Sequence, residues 1–141
     1  MKNTKLHEKR EYLNIRDLVE SSGMEYADRT AFSYRVKPRD EEICKVSFAE
    51  LRDDVRALAT ELLSIGCAGK HCAVIGKPSY EWALTYFSIL SIGGVVVPLD
   101  RDWTASDLAD TADNAGAEFL FCEAELADKA KVVAEKISLK H

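Results

Sequence analysis

Apolar side chains between residues 47 and 66 recur at the spacing of a helix with one buried face. Ser47 and Glu50 stand three residues apart at its start, the pattern of a capping box, in which side chains satisfy the free backbone donors of the first turn. Gly66 is the residue type that commonly follows a helix end. The apolar positions between them are 48, 51, 55, 58, 59, 62, 63 and 65. This periodicity predicts one amphipathic helix.

After residue 70 the pattern changes to short apolar runs that alternate with helical segments. The predicted strands are Cys72–Ile75, Val95–Leu99 and Glu118–Cys122. The predicted helices are Tyr80–Ile92, a segment from the Thr104 cap to Ala115, and Ala124–Ile137. Strands separated by one helix each require crossover connections, so they are expected to be parallel and connected with right-handed crossovers. The pattern predicts a Rossmann-like β-α-β-α-β-α unit.

The first forty-odd residues predict a different arrangement. Residues 1–13 are polar and mixed in charge, and we expect a flexible segment. Asn14 with Asp17 reads as a helix start, and Gly23 as its end. Two β-prone runs, Thr30–Val36 and Ile43–Val46, flank a charged turn and predict a hairpin. The fold class is therefore α/β: an N-terminal helix and hairpin followed by the parallel unit, with residues 14–141 forming a single domain.

Composition excludes several classes of protein. The net charge of −5 argues against a nucleic-acid binder, which would carry a basic surplus. Residues 82–99 contain no charge, but Gly93, Gly94 and Pro98 interrupt them, so a buried helix and strand fit better than a transmembrane segment. The N-terminus has no apolar run that would make a secretory signal. None of the four cysteines forms a C-x-x-C pair, so we expect free thiols and a cytoplasmic protein.

Ligands of parallel sheets bind at the carboxyl ends of the strands, here Gly76–Ser79, Asp100–Trp103 and Glu123. No G-x-G-x-x-G occurs there. Asp100 and Asp102 could hold Mg²⁺ or act as acid and base, but without a third ligand a solvated turn is the favoured interpretation. An anion could meet the helix start at Lys77-Pro-Ser79, although Ser79 is better explained as a simple N-cap.

Other candidate sites also have simpler structural interpretations. The Gly66–Lys70 stretch departs from a phosphate loop and precedes a strand, so a helix-to-strand turn is favoured. Burial of Cys72 and Cys122 as small hydrophobic residues is preferred to metal binding. A zinc site at Cys67, His71 and Cys72 would fit no standard ligand spacing. The aromatic stripe of Trp82, Tyr86 and Phe87 is better explained as core than as a ligand platform. The histidines His7, His71 and His141 are isolated, so no catalytic arrangement can be named from spacing. No catalytic, cofactor-binding or metal-binding residue is assigned.

Four segments resemble the N-terminal portion of the adenylate-forming (AMP-binding) enzymes, which include acyl-CoA synthetases, adenylation domains of peptide synthetases and luciferases. Val46-Ser-Phe-Ala-Glu-Leu51 is similar to the first core motif of this family, and the segment Leu90–Asp100, with its Gly-Gly and Pro, to the second. The strand and loop between these two motifs, Cys72–Trp82, are similar to those of fatty acyl-CoA synthetases. The strand after the second motif, within Ala115–Cys122, also resembles the family. The resemblance covers roughly residues 14–125.

The resemblance implies a two-step ligase. A carboxylate attacks ATP to give an acyl-adenylate, and the thiol of CoA then forms a thioester. ATP, Mg²⁺ and CoA are therefore expected for a full-length parent enzyme. The family's phosphate loop, metal-binding acid, ribose-binding Asp and late Lys are not found in this sequence, so the chain alone is expected to be inactive and to bind no cofactor. Lys129 and Lys131 lie where some relatives contact CoA phosphates, but the local pattern departs from theirs.

Three interpretations stay open from the sequence. The chain is the scaffold fragment of an acid–CoA ligase, a standalone interaction module derived from that family, or a phosphoacceptor domain centred on Asp100. Against the third, the loop after the strand ending at Ile75 lacks the acidic cluster that such domains need. A fragment should leave apolar surface uncovered, so we expect it to contact the remainder of the enzyme, or to self-associate. Within this resemblance, Glu81-Trp82 favours a fatty acid as the substrate, and aryl acids, short acids and amino acids stay open.

Overall fold

A hairpin and a parallel sheet organise the protein. The computed structural model describes residues 10–37 and 39–137. The helices are α1 (Ile15–Glu25), α2 (Phe48–Ser64), α3 (Tyr80–Ser91), α4 (Ala105–Asn114) and α5 (Ala127–Lys136). The strands are β1 (Thr30–Tyr34), β2 (Cys44–Ser47), β3 (His71–Ile75), β4 (Val95–Leu99) and β5 (Phe119–Cys122). The predicted α/β class is confirmed.

The three later strands form a parallel sheet in the order β4-β3-β5. Ala73 of β3 lies opposite Val97 on one side and Leu120 on the other. Each strand is followed by a helix, as the β-α-β-α-β-α prediction required. Because β3 has a partner on both edges, it is the central strand, and its last four residues are buried.

Helices cover both faces of this sheet, so alternate residues of β3 enter different cores. Ala73 and Ile75 pack with Leu108 of α4 and Val133 of α5. Cys72 and Val74 pack on the other face, where α2 and α3 contribute Leu62 and Ile89, and β5 contributes Phe119. This two-sided burial explains why the strands read as continuous apolar runs. No helix of the described residues is long and apolar enough to span a membrane.

The antiparallel hairpin β1-β2 packs against α1, α2 and the start of α3 through a third cluster. Tyr34 and Tyr80 stack with their ring centroids 5.9 Å apart. The Tyr80 hydroxyl donates to Asp54 Oδ2 at 2.5 Å. Burial and this hydrogen bond raise the pKa of Tyr80, so the phenol stays protonated at neutral pH. The aromatic contacts fix the N-terminal elements on the parallel unit.

Helix starts follow the sequence signals closely. The predicted capping box is present: the Ser47 side chain accepts from the Glu50 N–H at 3.2 Å, and Glu50 Oε2 accepts from the Ser47 N–H at 2.8 Å. The Ser47 N–H and the Ser47 hydroxyl both donate to Glu50 Oε2, and these two hydrogen bonds lower the pKa of Glu50. Asn14, Ser79 and Thr104 are simple N-caps, in which the side chain accepts from the backbone N–H three residues later. Confirmed caps of this kind contribute about 1 kcal/mol each to helix stability.

Three predicted boundaries were wrong. Helix α1 continues through Gly23 to Glu25. The glycine therefore does not end the helix but serves its packing. A Cβ at Gly23 would lie 2.6 Å from the Cβ of Arg52, so the residue allows α1 and α2 to approach closely. Strand β1 ends at Tyr34, since Val36 is 72% exposed. The last helix begins with a 3-10 turn over Ala124–Leu126.

Residues 1–9, Pro38 and 138–141 lie outside the part of the chain that the structure describes. The flexible segment over residues 1–13 and the single domain over residues 14–141 therefore stay predictions.

Candidate functional site

The strand order defines one crevice at the carboxyl edge of the sheet. Helix α3, after β3, covers one face, whereas α4, after β4, covers the other. The carboxyl ends of β3 and β5 therefore meet at a topological switch point, where parallel sheets bind ligands. A cavity of about 200 Å³ lies there. Its wall includes Gly76, Lys77, Ser79, Trp82, Cys122 and Glu123.

Charged residues join the three strand ends across this edge. Arg101, after β4, places Nη1 2.5 Å from Glu123 Oε1, after β5. Lys77, after β3, places Nζ 3.7 Å from Glu123 Oε2. The Glu123 side chain is only 19% exposed, so its charge is compensated by both cations. These cations are thus engaged with Glu123.

The Asp100 carboxylate accepts a hydrogen bond from the backbone of the turn that it begins. Asp100 Oδ1 accepts from the Asp102 N–H at 2.9 Å, and the Asp100 carbonyl accepts from the Trp103 N–H at 3.2 Å. Within residues 10–37 and 39–137, no three His, Cys, Asp or Glu side chains come together as a ligand group. Asp100 and Asp102 are both exposed, and the Asp100 carboxylate is engaged with the backbone of its own turn.

The two phosphate candidates lie at opposite edges of the sheet. The Ser79 hydroxyl accepts from the Trp82 N–H at 3.2 Å, which makes Ser79 a helix N-cap beside the crevice. The turn between α2 and β3 lies at the amino edge, with Gly66 and Gly69 at φ values of +83° and +68°. There Lys70 pairs with Glu118 at 3.1 Å. This turn therefore connects a helix to a strand and does not open a helix.

Of the three residues considered as a zinc site, the two cysteines contact each other, whereas His71 contacts a backbone carbonyl. Cys67 and Cys72 are fully buried, with 3.9 Å between their sulfur atoms. His71 instead places Nδ1 2.6 Å from the Ala115 carbonyl oxygen. Burial raises the pKa of the Cys72 thiol to about 12, which leaves little thiolate at neutral pH. The pair behaves as part of the core.

Burial was predicted correctly for Cys72 and wrongly for Cys122, which is exposed. Cys122 is the last residue of β5, and its side chain borders the crevice. Partial desolvation there, together with the negative charge of Glu123, raises the pKa of its thiol. An exposed position therefore does not make Cys122 a strong nucleophile.

The aromatic stripe is only partly core. Trp82 and Tyr86 stack with ring centroids 5.3 Å apart, and Phe87 joins the hairpin cluster. All residues from 82 to 87 are nevertheless only half-buried. Helix α3 therefore keeps an incompletely covered apolar side next to Phe121 of the edge strand β5.

Lys129 anchors the loop after β4, a contact that the sequence did not reveal. Its Nζ donates to the carbonyls of Arg101 at 2.8 Å and Trp103 at 2.9 Å. Lys131 is 73% exposed and lies 3.2 Å from Asp128 Oδ1. Of these two lysines, only Lys129 contacts the crevice loops.

We expect Lys129→Met to destabilise the fold by about 1–2 kcal/mol, because two loop carbonyls lose a charged donor. Lys131→Met is the matched control and should change the free energy of unfolding by less than about 0.5 kcal/mol, as is usual for exposed ion pairs. Urea unfolding followed by circular dichroism measures both. Equal effects of the two substitutions would contradict an anchoring role for Lys129.

Comparison with known proteins agrees with this geometry. Residues 19–141 match the family described as AMP-binding enzyme. The chain belongs to this family.

Curated relatives include the long-chain-fatty-acid–CoA ligases FadD15 of Mycobacterium bovis and Mycobacterium tuberculosis. Each is 34% identical over 91 residues, which is 64% of this chain and 15% of the relative. The chain therefore spans a small part of the length of these proteins.

Solved structures show the same fold. The long-chain-fatty-acid–CoA ligase FadD1 of Archaeoglobus fulgidus superimposes with a TM-score of 0.83 at 19% identity, covering 94% of this chain and 27% of that one. The N-terminal domain of FACL13 from Mycobacterium tuberculosis gives 0.76 at 17% identity, covering 90% and 32%. The fold of this chain is therefore that of the N-terminal domain of FACL13.

Proposed function

We propose that this chain is the N-terminal scaffold of an ATP-dependent acid–CoA ligase, which forms an acyl-adenylate and then a CoA thioester. The observation that carries the proposal is the combination of family membership over residues 19–141 with a switch-point crevice whose charges pair with one another. The chain supplies a rigid parallel sheet, and the catalytic groups belong to other parts of the parent enzyme.

The contacts explain why the chain alone is proposed to be inactive. Adenylation needs donors that hold a triphosphate and stabilise the charge that develops at the α-phosphate. At the crevice, Lys77 and Arg101 contact Glu123, and Lys129 contacts two carbonyls. ATP, Mg²⁺ and CoA would therefore bind mainly through residues outside this chain. The names of FadD15 and FadD1 support a fatty acid as the substrate, and the free thiols support a cytoplasmic location.

Calorimetry tests this division of labour. The 141-residue chain titrated with ATP and Mg²⁺, or with a non-hydrolysable acyl-adenylate analogue, should give no binding in the micromolar range. A circular dichroism spectrum with the expected helix content serves as the control that the protein is folded. Micromolar binding of either ligand would contradict the scaffold function.

Trp82, Tyr86 and Phe121 form the surface that we propose to contact the remainder of the enzyme. They are partly buried on one face of the sheet, next to β5, whose outer edge has no strand partner within the described residues. Exposed apolar area beside an unpaired strand edge favours association.

In the isolated chain we expect this surface to cause self-association, visible in sedimentation velocity. Tyr86→Lys should shift the distribution towards monomer, because it places a charge in the contact. Val132→Lys is the control, since Val132 is 45% exposed on α5, which packs against the opposite face. A monodisperse monomer of the unmodified chain at high concentration would contradict the prediction.

A further inference from the structure

A second cavity lies far from the crevice, where α1 and α2 meet the end of α3. Helix α3 begins at the carboxyl edge of the sheet and runs back, so Ser91 and Ile92 reach the amino edge. The cavity measures about 260 Å³. Its apolar wall is entirely aliphatic: Val19, Val55, Ala59, Leu63 and Ile92. No aromatic ring is present in this wall for a planar ligand to stack on.

The polar groups of this cavity leave one positive charge unmatched. Arg56 and Glu20 form a two-point ion pair, in which Arg56 Nε lies 2.7 Å from Glu20 Oε1, so their charges cancel. Arg16 donates only its Nε, to the Ser91 carbonyl at 2.6 Å. Arg16 is exposed, and its two terminal amino groups have no partner within residues 10–37 and 39–137. A guanidinium edge that is free in this way matches a carboxylate.

Ser91 adds a second unmet polar group beside Arg16. The residue is 7% exposed, and its Oγ is buried without a hydrogen-bond partner in the described part of the chain. Buried hydroxyls normally have partners, so an unpaired one in the wall of a cavity points to a missing ligand atom.

We propose that this cavity binds an aliphatic monocarboxylate. The carboxylate would pair with the terminal amino groups of Arg16 and accept from Ser91, while the alkyl chain would cover the aliphatic wall. At about 30 Å³ per water-sized unit, the volume suits a chain of roughly eight carbons. The site is separate from the crevice, so the proposal does not depend on the acid–CoA ligase function.

A titration of the ¹⁵N-labelled chain with octanoate tests the site. We expect amide shifts confined to α1, α2 and the end of α3, with a Kd of about 1 mM, as befits about ten heavy atoms in a half-open cavity. 1-Octanol, which lacks the carboxylate, should bind at least about tenfold more weakly. Shifts centred elsewhere, or equal affinity for the alcohol, would overturn the proposal.

Variants separate the charge from the apolar wall. Arg16→Gln should weaken octanoate binding about five- to tenfold, and Arg16→Lys should weaken it less, because lysine keeps the charge but loses the planar two-point geometry. Arg35→Gln is the matched control, since this exposed arginine lies at the end of β1, away from the cavity. Unchanged affinity in a folded Arg16→Gln variant would remove Arg16 from the site and with it the proposal.

Discussion

Phe119→Ala should lower the free energy of unfolding by about 3–5 kcal/mol, the largest single effect expected in the fold. Phe119 is 1% exposed and packs on the face of the sheet where α2 and α3 lie. Removing the ring leaves a cavity between β5 and those helices, which a central parallel sheet cannot easily close. Since domains of this size are stable by only about 5–15 kcal/mol, the variant should be partly unfolded at mild urea concentrations.

Two further variants make this result specific. Phe119→Leu keeps most of the volume and should recover more than half of the lost stability. Val132→Ala removes an exposed side chain and should change stability by less than about 0.5 kcal/mol. Equilibrium unfolding in urea, monitored by circular dichroism, measures all three. A loss below about 1 kcal/mol for Phe119→Ala would show that the ring does not hold β5 to the core.

Gly94→Ala should cost about 2–3 kcal/mol, because the added methyl group has no space. A Cβ at Gly94 would lie 2.7 Å from Ile89 Cγ2 and 3.0 Å from the Ile89 carbonyl oxygen. The same backbone segment is held by the Gly94 N–H donating to Ile89 and the Val95 N–H donating to Lys70, at 3.0 and 2.8 Å. The substitution therefore has to separate the end of α3 from the start of β4.

Gly76→Ala is the matched control for this effect. It also lies next to a strand of the sheet, but a Cβ there would be 3.4 Å from its nearest neighbour, Trp82 Cδ1, an ordinary contact. Thermal unfolding should show a clear fall in Tm for Gly94→Ala and little change for Gly76→Ala. Equal effects would mean that the Gly93-Gly94 pair serves only to end the helix and not to allow close packing.

The sequence predicted those parts of the fold in which local chemistry and burial agree. Helix α2 has a complete capping box at Ser47 and a glycine just after its end, and β4 has a continuous apolar run, so their positions were foreseen. Gly23 misled because a glycine serves equally for ending a helix and for packing two helices closely. The position of α2 beside α1, which decides between these roles, is a tertiary contact.

The site was foreseen less completely than the fold. Lys77, Arg101 and Glu123 each stand within two residues of a strand end, so the rule for parallel sheets could have joined them. The strand order, which brings Glu123 within reach of both cations, is not encoded in any local pattern. Lys129 reaches carbonyls 26 and 28 residues earlier, and no spacing signals such a contact. Cys122 is the last residue of β5 and is exposed there. A hydropathy pattern does not show which end of an apolar strand the helices leave uncovered.

Reading the source gene past codon 141 tests the central claim most directly. If the chain is the N-terminal scaffold of an acid–CoA ligase, the reading frame continues into a stretch rich in Ser, Thr and Gly that ends in Lys and can hold the ATP phosphates. An in-frame stop codon at that point would contradict the claim. The family fold would then belong to a free-standing domain, and the proposed ligase function would have to be abandoned.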